Sequence, residues 1–88
     1  MSKMTKLTWE EAEDFLGFLV RSGYAIDIDM DRTPDSVMYI MIIRDLDNGI
    51  LASADVEYDI DVSTLIIRCL DDYLTTQDGK TMELIWRQ

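Results

Sequence analysis

Three aspartates alternate with small or apolar residues in the stretch AIDIDMD (residues 25–31), which resembles the start of a calcium loop. Such a loop takes oxygen ligands at positions 1, 3 and 5, a glycine at position 6 and a bidentate glutamate at position 12. Counted from Asp27, position 6 is Arg32 and position 12 is Met38. Since the turn glycine and the closing ligand are both replaced, the sequence predicts no metal site and no cofactor.

The residue types that carry most enzyme chemistry are scarce. The chain has no histidine to act as a general base and no glycine-rich phosphate loop. Its one cysteine, Cys69, lies on the apolar stripe of a predicted helix, where a thiol behaves as a small hydrophobe. Carboxylate pairs on an exposed strand lack the burial that would shift a pKa into a catalytic range. We therefore expect that the protein is not an enzyme.

The charge balance indicates what kind of partner the protein would bind. Eighteen acidic and 8 basic residues give a formal net charge of −10. The acids are spread along the chain instead of forming a tail, which predicts an acidic folded surface. A basic stripe that would neutralise phosphates is absent, and no stretch approaches the length and apolarity of a membrane span. The expected partner is a basic protein, and we expect neither direct nucleic-acid binding nor membrane association.

Length and cysteine content predict one small domain in a reducing compartment. The 88 residues fit one hydrophobic core, and a hydrophobic fraction of 48% is enough to fold it. A lone cysteine forms no internal disulfide, and the start MSKMTK lacks the apolar segment of a secretion signal. We expect a single domain over residues 1–88 and a cytoplasmic location, in the host cell if the gene belongs to a phage.

The first helix is predicted to begin after Thr8. Thr8 and Glu11 have the spacing of a capping box, in which each side chain bonds the backbone N–H of the other residue. Arg21 gives a basic last turn, and Gly23 is the expected stop. The predicted buried stripe consists of Ala12, Phe15, Leu16 and Leu19.

The next three segments read as strands. From Tyr24 the apolar period is two, residues 36–44 (SVMYIMIIR) are apolar on both faces, and residues 50–58 alternate again. Asp47, Asn48 and Gly49 predict the turn between the second and third strands. The acids of the first and third strands each fall on one face.

The C-terminal third predicts a helix followed by a strand. Asp61 is the expected N-cap, and the pair Asp78-Gly79 is the expected stop. Residues 81–87 (TMELIWR) alternate in polarity and predict a fourth strand. The predicted buried stripe of the helix is Val62, Leu65, Ile66, Cys69, Leu70 and Tyr73.

The predicted fold class is α+β in the order α-β-β-β-α-β, with an antiparallel meander sheet and both helices on one face. The other face would carry acids around a central apolar row, formed either by Val37, Tyr39, Met41 and Ile43 or by Met38, Ile40 and Ile42. An apolar centre with a charged rim is typical of a protein interface. The predicted partner-binding residues are Asp27, Asp29, Asp31, Tyr39, Met41, Asp55, Glu57 and Asp59. Two other interpretations stay open: the acids are a solvated, edge-protecting surface, or the fourth strand and N-terminal residues cover this face.

In size, acidity and opening element order, the chain resembles the small acidic type II-A anti-CRISPR proteins, which imitate DNA. The resemblance implies an inhibitor that fills the groove by which a CRISPR effector binds its target DNA. It also implies a further helix where TMELIWR predicts a strand. No motif matches residue by residue, so the resemblance assigns no functional residue.

Two other functions fit the same sequence. An immunity or antitoxin-type protein that blocks a basic toxin would use its acidity for fast, steered association. A dimeric structural module would pair through Tyr39 and Met41 or through an edge strand.

Overall fold

The computed structural model describes residues 7–58 and 61–88 and shows an α+β fold. The elements are α1 (Trp9–Arg21), β1 (Ala25–Arg32), β2 (Val37–Arg44), β3 (Ile50–Glu57), α2 (Val62–Leu74) and α3 (Gln77–Arg87). The three strands form an antiparallel meander in the order β1-β2-β3. The predicted fold class and meander are confirmed, whereas the predicted last element is wrong.

The capping box forms as the sequence predicts. The Glu11 backbone N–H donates to Thr8 Oγ1 at 3.1 Å, and the Thr8 N–H donates to Glu11 Oε1 at 2.9 Å. At the other end of α1, Gly23 has a φ of 98°, which glycine adopts at no steric cost. The helix therefore begins and ends at the predicted residues, and it buries Ala12, Phe15 and Leu19, with Leu16 half-buried.

The segment TMELIWR is not a strand but the main part of α3. The Thr76 side chain caps this helix by accepting the Gly79 N–H at 2.9 Å, so α2 ends at Leu74 and Asp78-Gly79 opens the next helix instead of closing α2. The alternation of Met82, Leu84 and Trp86 misleads because Met82 and Trp86 are also four residues apart, on one helix face. Leu84 is 67% exposed on the other side.

The start of α2 also differs in detail from the sequence prediction. Asp61 occupies the N-cap position, but its side chain makes no capping hydrogen bond. Val62, predicted to be buried, is 42% exposed. The remaining predicted stripe of α2 is buried, together with Leu74.

The core lies between the sheet and the helices. From the sheet it takes Met41 and Ile43 of β2 and Ala52 and Val56 of β3, all with at most 4% of their surface exposed. The cross-strand partners are Ile43 with Ala52 and Met41 with Ala54, so large side chains of β2 stand beside alanines of β3. This leaves room for α2, which packs on β2 and β3, while α1 and α3 pack on α2.

The carboxylate of Asp78 connects α3 to the rest of the fold by two hydrogen bonds. Asp78 Oδ2 accepts hydrogen bonds from the Tyr24 hydroxyl at 2.8 Å and the Tyr73 hydroxyl at 2.6 Å. Burial, and then the hydrogen bond to Asp78, raises the pKa of Tyr73 above its usual value of 10.0. At the far end of α3, the Trp86 indole N–H donates to Asp14 Oδ2 at 2.6 Å and its ring packs on Phe15.

Candidate partner-binding face

The sheet surface turned away from the helices, here called the open face, carries acidic residues on both sides of an apolar row. Ile40 of β2 lies between Asp29 of β1 and Asp55 of β3 in the strand register. The neighbouring rows are Asp31–Met38–Glu57 and Asp27–Ile42–Ser53. The structure thus selects the second of the two central rows that the sequence left open.

Strand geometry sets the spacing of these charges. Adjacent strands lie about 4.8 Å apart, so an acid on β1 and the acid directly across the sheet from it on β3 are separated by roughly 10 Å. Along one strand, residues on the same face repeat about every 6.7 Å. The open face therefore presents two parallel rows of carboxylates with a hydrophobic strip between them.

The carboxylates of the open face differ in their contacts. Asp27 Oδ2 accepts from Arg44 Nε at 3.1 Å, and Asp29 Oδ1 accepts the Met30 backbone N–H at 2.8 Å. The carboxylates of Asp31, Asp55 and Glu57 are exposed and form no hydrogen bond or ion pair with any described residue. These three side-chain charges therefore make no polar contact that stabilises the described fold.

Arg44 makes the two ends of the open face differ in charge. It lies on the same side of β2 as Met38, Ile40 and Ile42, and its Nη1 also donates to the Asn48 carbonyl at 3.3 Å. The Arg44 end is thus partly neutralised, whereas Asp31 and Glu57 mark an unpaired negative end. A cationic partner would be attracted mainly to the end formed by Asp31, Met38 and Glu57.

Tyr39 and Met41 do not lie on the open face, contrary to the sequence prediction. Met41 is fully buried beneath the helices, so it cannot contact a partner, and Tyr39 is half-buried on the same side. The register gives the reason, because Met41 pairs with Ile28 and Ala54, which all face the helices. Ala52 and Ala54 are the signal in the sequence for this orientation, because small residues on β3 leave room for a closely packed helix.

The remaining predicted residue, Asp59, lies outside the described residues. The apolar residues Met38, Ile40 and Ile42, which are not among the predicted partner-binding residues, are half-buried at the centre of the open face. The open face thus combines five predicted acids (Asp27, Asp29, Asp31, Asp55 and Glu57) with the second of the two predicted central rows.

Other chemistry has little support among the described residues. Residues 7–58 and 61–88 contain no group of three or more histidines, cysteines, aspartates or glutamates that could hold a metal ion. Cys69 is fully buried, with its Sγ 3.7 Å from the Met41 carbonyl, and burial followed by the charge of Asp72 raises the pKa of its thiol to about 12. The thiol is therefore protonated and shielded at neutral pH.

Within the described part of the chain, none of the helices has the length and apolarity needed to cross a membrane. No protein-family model, curated protein or solved structure matches this chain.

Proposed function

We propose that this protein is a non-enzymatic inhibitor that binds a basic, nucleic-acid-handling protein through the open face and competes there with DNA. The observation that carries the proposal is the arrangement of Asp31, Asp55 and Glu57. They flank Met38 and Ile40, they are exposed, and their carboxylates form no hydrogen bond or ion pair with a described residue. Carboxylates that the described fold does not use are available to the cationic side chains of a partner.

The geometry supports charge mimicry. Phosphates of one B-DNA strand rise about 3.4 Å each along the helix axis, so two phosphate steps cover an axial distance close to the repeat of carboxylates along β1 or β3. Any strand has this repeat, so the weight lies on its occurrence in two rows and on the net charge of −10. A groove that binds phosphates through lysine and arginine would attract both rows.

The element order supports the resemblance to type II-A anti-CRISPR proteins. That resemblance implies a helix at the C-terminus, and α3 occupies residues 77–87. A CRISPR effector holds its nucleic acids in a positively charged channel and reads a short duplex motif with arginines. The proposed partner is therefore an effector of this class, and the basic site that receives the DNA is the proposed contact.

The direct test uses a type II-A CRISPR effector loaded with guide RNA, with binding measured across a salt series. A triple variant, Asp31→Asn with Asp55→Asn and Glu57→Gln, removes charges that form no hydrogen bond or ion pair with a described residue. We expect its Kd to rise at least about tenfold at low salt and the salt dependence to become shallower. The matched control, Glu13→Gln with Asp47→Asn and Asp72→Asn, removes the same charge elsewhere and should bind as the natural protein does.

Competition identifies the contacted site. A target DNA duplex bound first to the loaded effector should prevent binding of the protein, and excess protein should prevent binding of DNA. Equal affinity of the triple variant and the control at every salt concentration would refute the open-face proposal. Loss of affinity in the triple variant without DNA competition would refute DNA mimicry. No binding to the effector at all would favour a toxin-blocking immunity protein, tested by pull-down from the native host.

A further inference from the structure

The outer edge of β1 is a second surface without a partner among the described residues, distinct from the open face. Among the described strands β1 pairs only with β2, so the outward backbone groups of β1 bond no described strand. On the side that faces the helices, Ile28 is 47% exposed and Met30 is 39% exposed. The helix layer therefore stops short of this edge.

The hydrogen-bond pattern identifies which backbone groups point outward. Tyr58 N–H donates to the Val37 carbonyl, so odd-numbered residues of β2 bond β3 and even-numbered ones bond β1. With Ile40 opposite Asp29, the odd-numbered residues of β1 point inward. Ile28 and Met30 consequently direct their N–H and C=O groups outward. The hydrogen bond from Met30 N–H to Asp29 Oδ1 fits this assignment.

A second copy of this chain is a poor occupant of the edge. Antiparallel pairing of β1 with itself sets residues of the same face opposite each other. If the axis passes through Asp29, that residue faces its own copy and Asp27 faces Asp31. If the axis passes through Ile28, Asp27 faces Asp29. Like charges directly opposite each other destabilise a strand pair, so the acids of β1 oppose self-association.

We propose that β1 accepts an extended protein segment of alternating basic and apolar residues, which adds to the sheet as a fourth strand. Its basic residues pair with Asp27, Asp29 and Asp31, and its apolar residues cover Ile28 and Met30. Main-chain bonds to the outward groups supply affinity, and the alternating side chains supply specificity. The proposal goes beyond the open-face function, because it adds the backbone edge and the helix-facing side chains Ile28 and Met30 to the three aspartates of the open face.

The test uses a seven-residue peptide that alternates lysine and isoleucine, blocked at both ends. Its isoleucines would pair with the outward residues of β1, so isoleucine N–H groups face the protein and lysine N–H groups face away. Methylation of the isoleucine backbone nitrogens should abolish binding, while methylation of the lysine backbone nitrogens should preserve it. The two methylated peptides have equal charge and the same side chains, and equal binding of both would overturn the proposal.

Amide hydrogen exchange locates the bound peptide. With peptide at about 100 times its Kd, exchange of the Ile28 and Met30 amides should slow about 100-fold. The outward amides of β3, at Ser53 and Asp55, should be unchanged. Protection at β3 instead of β1 would overturn the proposal.

Two pairs of substitutions distinguish peptide binding at the β1 edge from nonspecific attraction of the basic peptide to an acidic protein. Ile28→Ser with Met30→Ser alters two exposed side chains and should weaken peptide binding at least about tenfold. The control, Leu84→Ser with Ile85→Ser on α3, should have no effect. If light scattering shows that the natural protein is a dimer and the Ile28 and Met30 variant is a monomer, a second copy is the occupant and the proposal is wrong. The open-face test changes Asp31, Asp55 and Glu57 and measures DNA competition, so either proposal can fail alone.

Discussion

Substituting alanine for Gly79 tests the docking of α3. A Cβ at this position would overlap the Tyr73 carbonyl oxygen and lie 2.6 Å from its carbonyl carbon and 3.0 Å from Leu74 Cα. All three atoms belong to the backbone of α2, so no side-chain rotation relieves the contact. Gly79→Ala therefore forces α3 away from the end of α2.

The expected magnitude follows from two opposing effects. Alanine in place of glycine inside a helix usually stabilises by about 0.5–1 kcal/mol. Overpacking against fixed atoms costs about 1–3 kcal/mol or more, which outweighs that gain. For a domain of this size a net loss of about 2 kcal/mol lowers Tm by roughly 8–16 °C.

Gly17→Ala in α1 is the matched control. The Cβ there would lie 3.1 Å from Arg21 Nη1, the far end of a flexible side chain that can move aside. We expect Tm to rise by a few degrees in this variant, measured by circular dichroism at 222 nm. If Gly79→Ala is as stable as Gly17→Ala, α3 does not dock on α2 as described and the reasoning is wrong.

Three other outcomes test individual side chains. Because the buried, hydrogen-bonded Tyr73 has a raised pKa, its contribution to stability is complete below pH 10 and is lost as the pH rises above 10. The free energy of unfolding, measured by urea denaturation, should therefore fall by up to about 1.4 kcal/mol per pH unit above pH 10. Tyr73→Phe should make this pH dependence shallower. Cys69, whose thiol has a pKa of about 12, should resist iodoacetamide at pH 8 until urea unfolds the chain, and stoichiometric labelling of the native protein would contradict its burial. Arg44→Gln should free Asp27 and speed association with a loaded CRISPR effector about two- to threefold at low salt, whereas slower association would count against the charge argument.

The elements with strong local signals could be predicted from the sequence. Thr8 and Glu11 specify the start of α1 by their own hydrogen bonds, and the turn at Asn48 forms with a φ of 70°. Asp45 Oδ1 stabilises that turn by accepting the backbone N–H groups of Asp47 and Gly49. These contacts are local in the chain, so residue type and spacing are sufficient to predict them.

The sequence predictions fail where tertiary packing determines the structure. The segment TMELIWR alternates like a strand, but Trp86 finds its partners Asp14 and Phe15 on a distant helix, and that docking favours the helical form. Likewise, both faces of β2 are apolar, so the pattern alone does not decide whether Tyr39 or Ile40 faces the helices. The register of β2 with β1 and β3 decides it.

Three acids on the strands differ from many acids elsewhere in what their carboxylates do for the fold. Glu11 caps a helix, Asp45 orders a turn, and Asp78 binds two tyrosines. In contrast, Asp31, Asp55 and Glu57 have no such role among the described residues, although like charges along a strand lower the stability of the compact state. Solvation alone does not require carboxylates, because serine or lysine would keep these positions wet and would reduce the net charge. Their placement around Met38 and Ile40 therefore supports the proposed cationic partner.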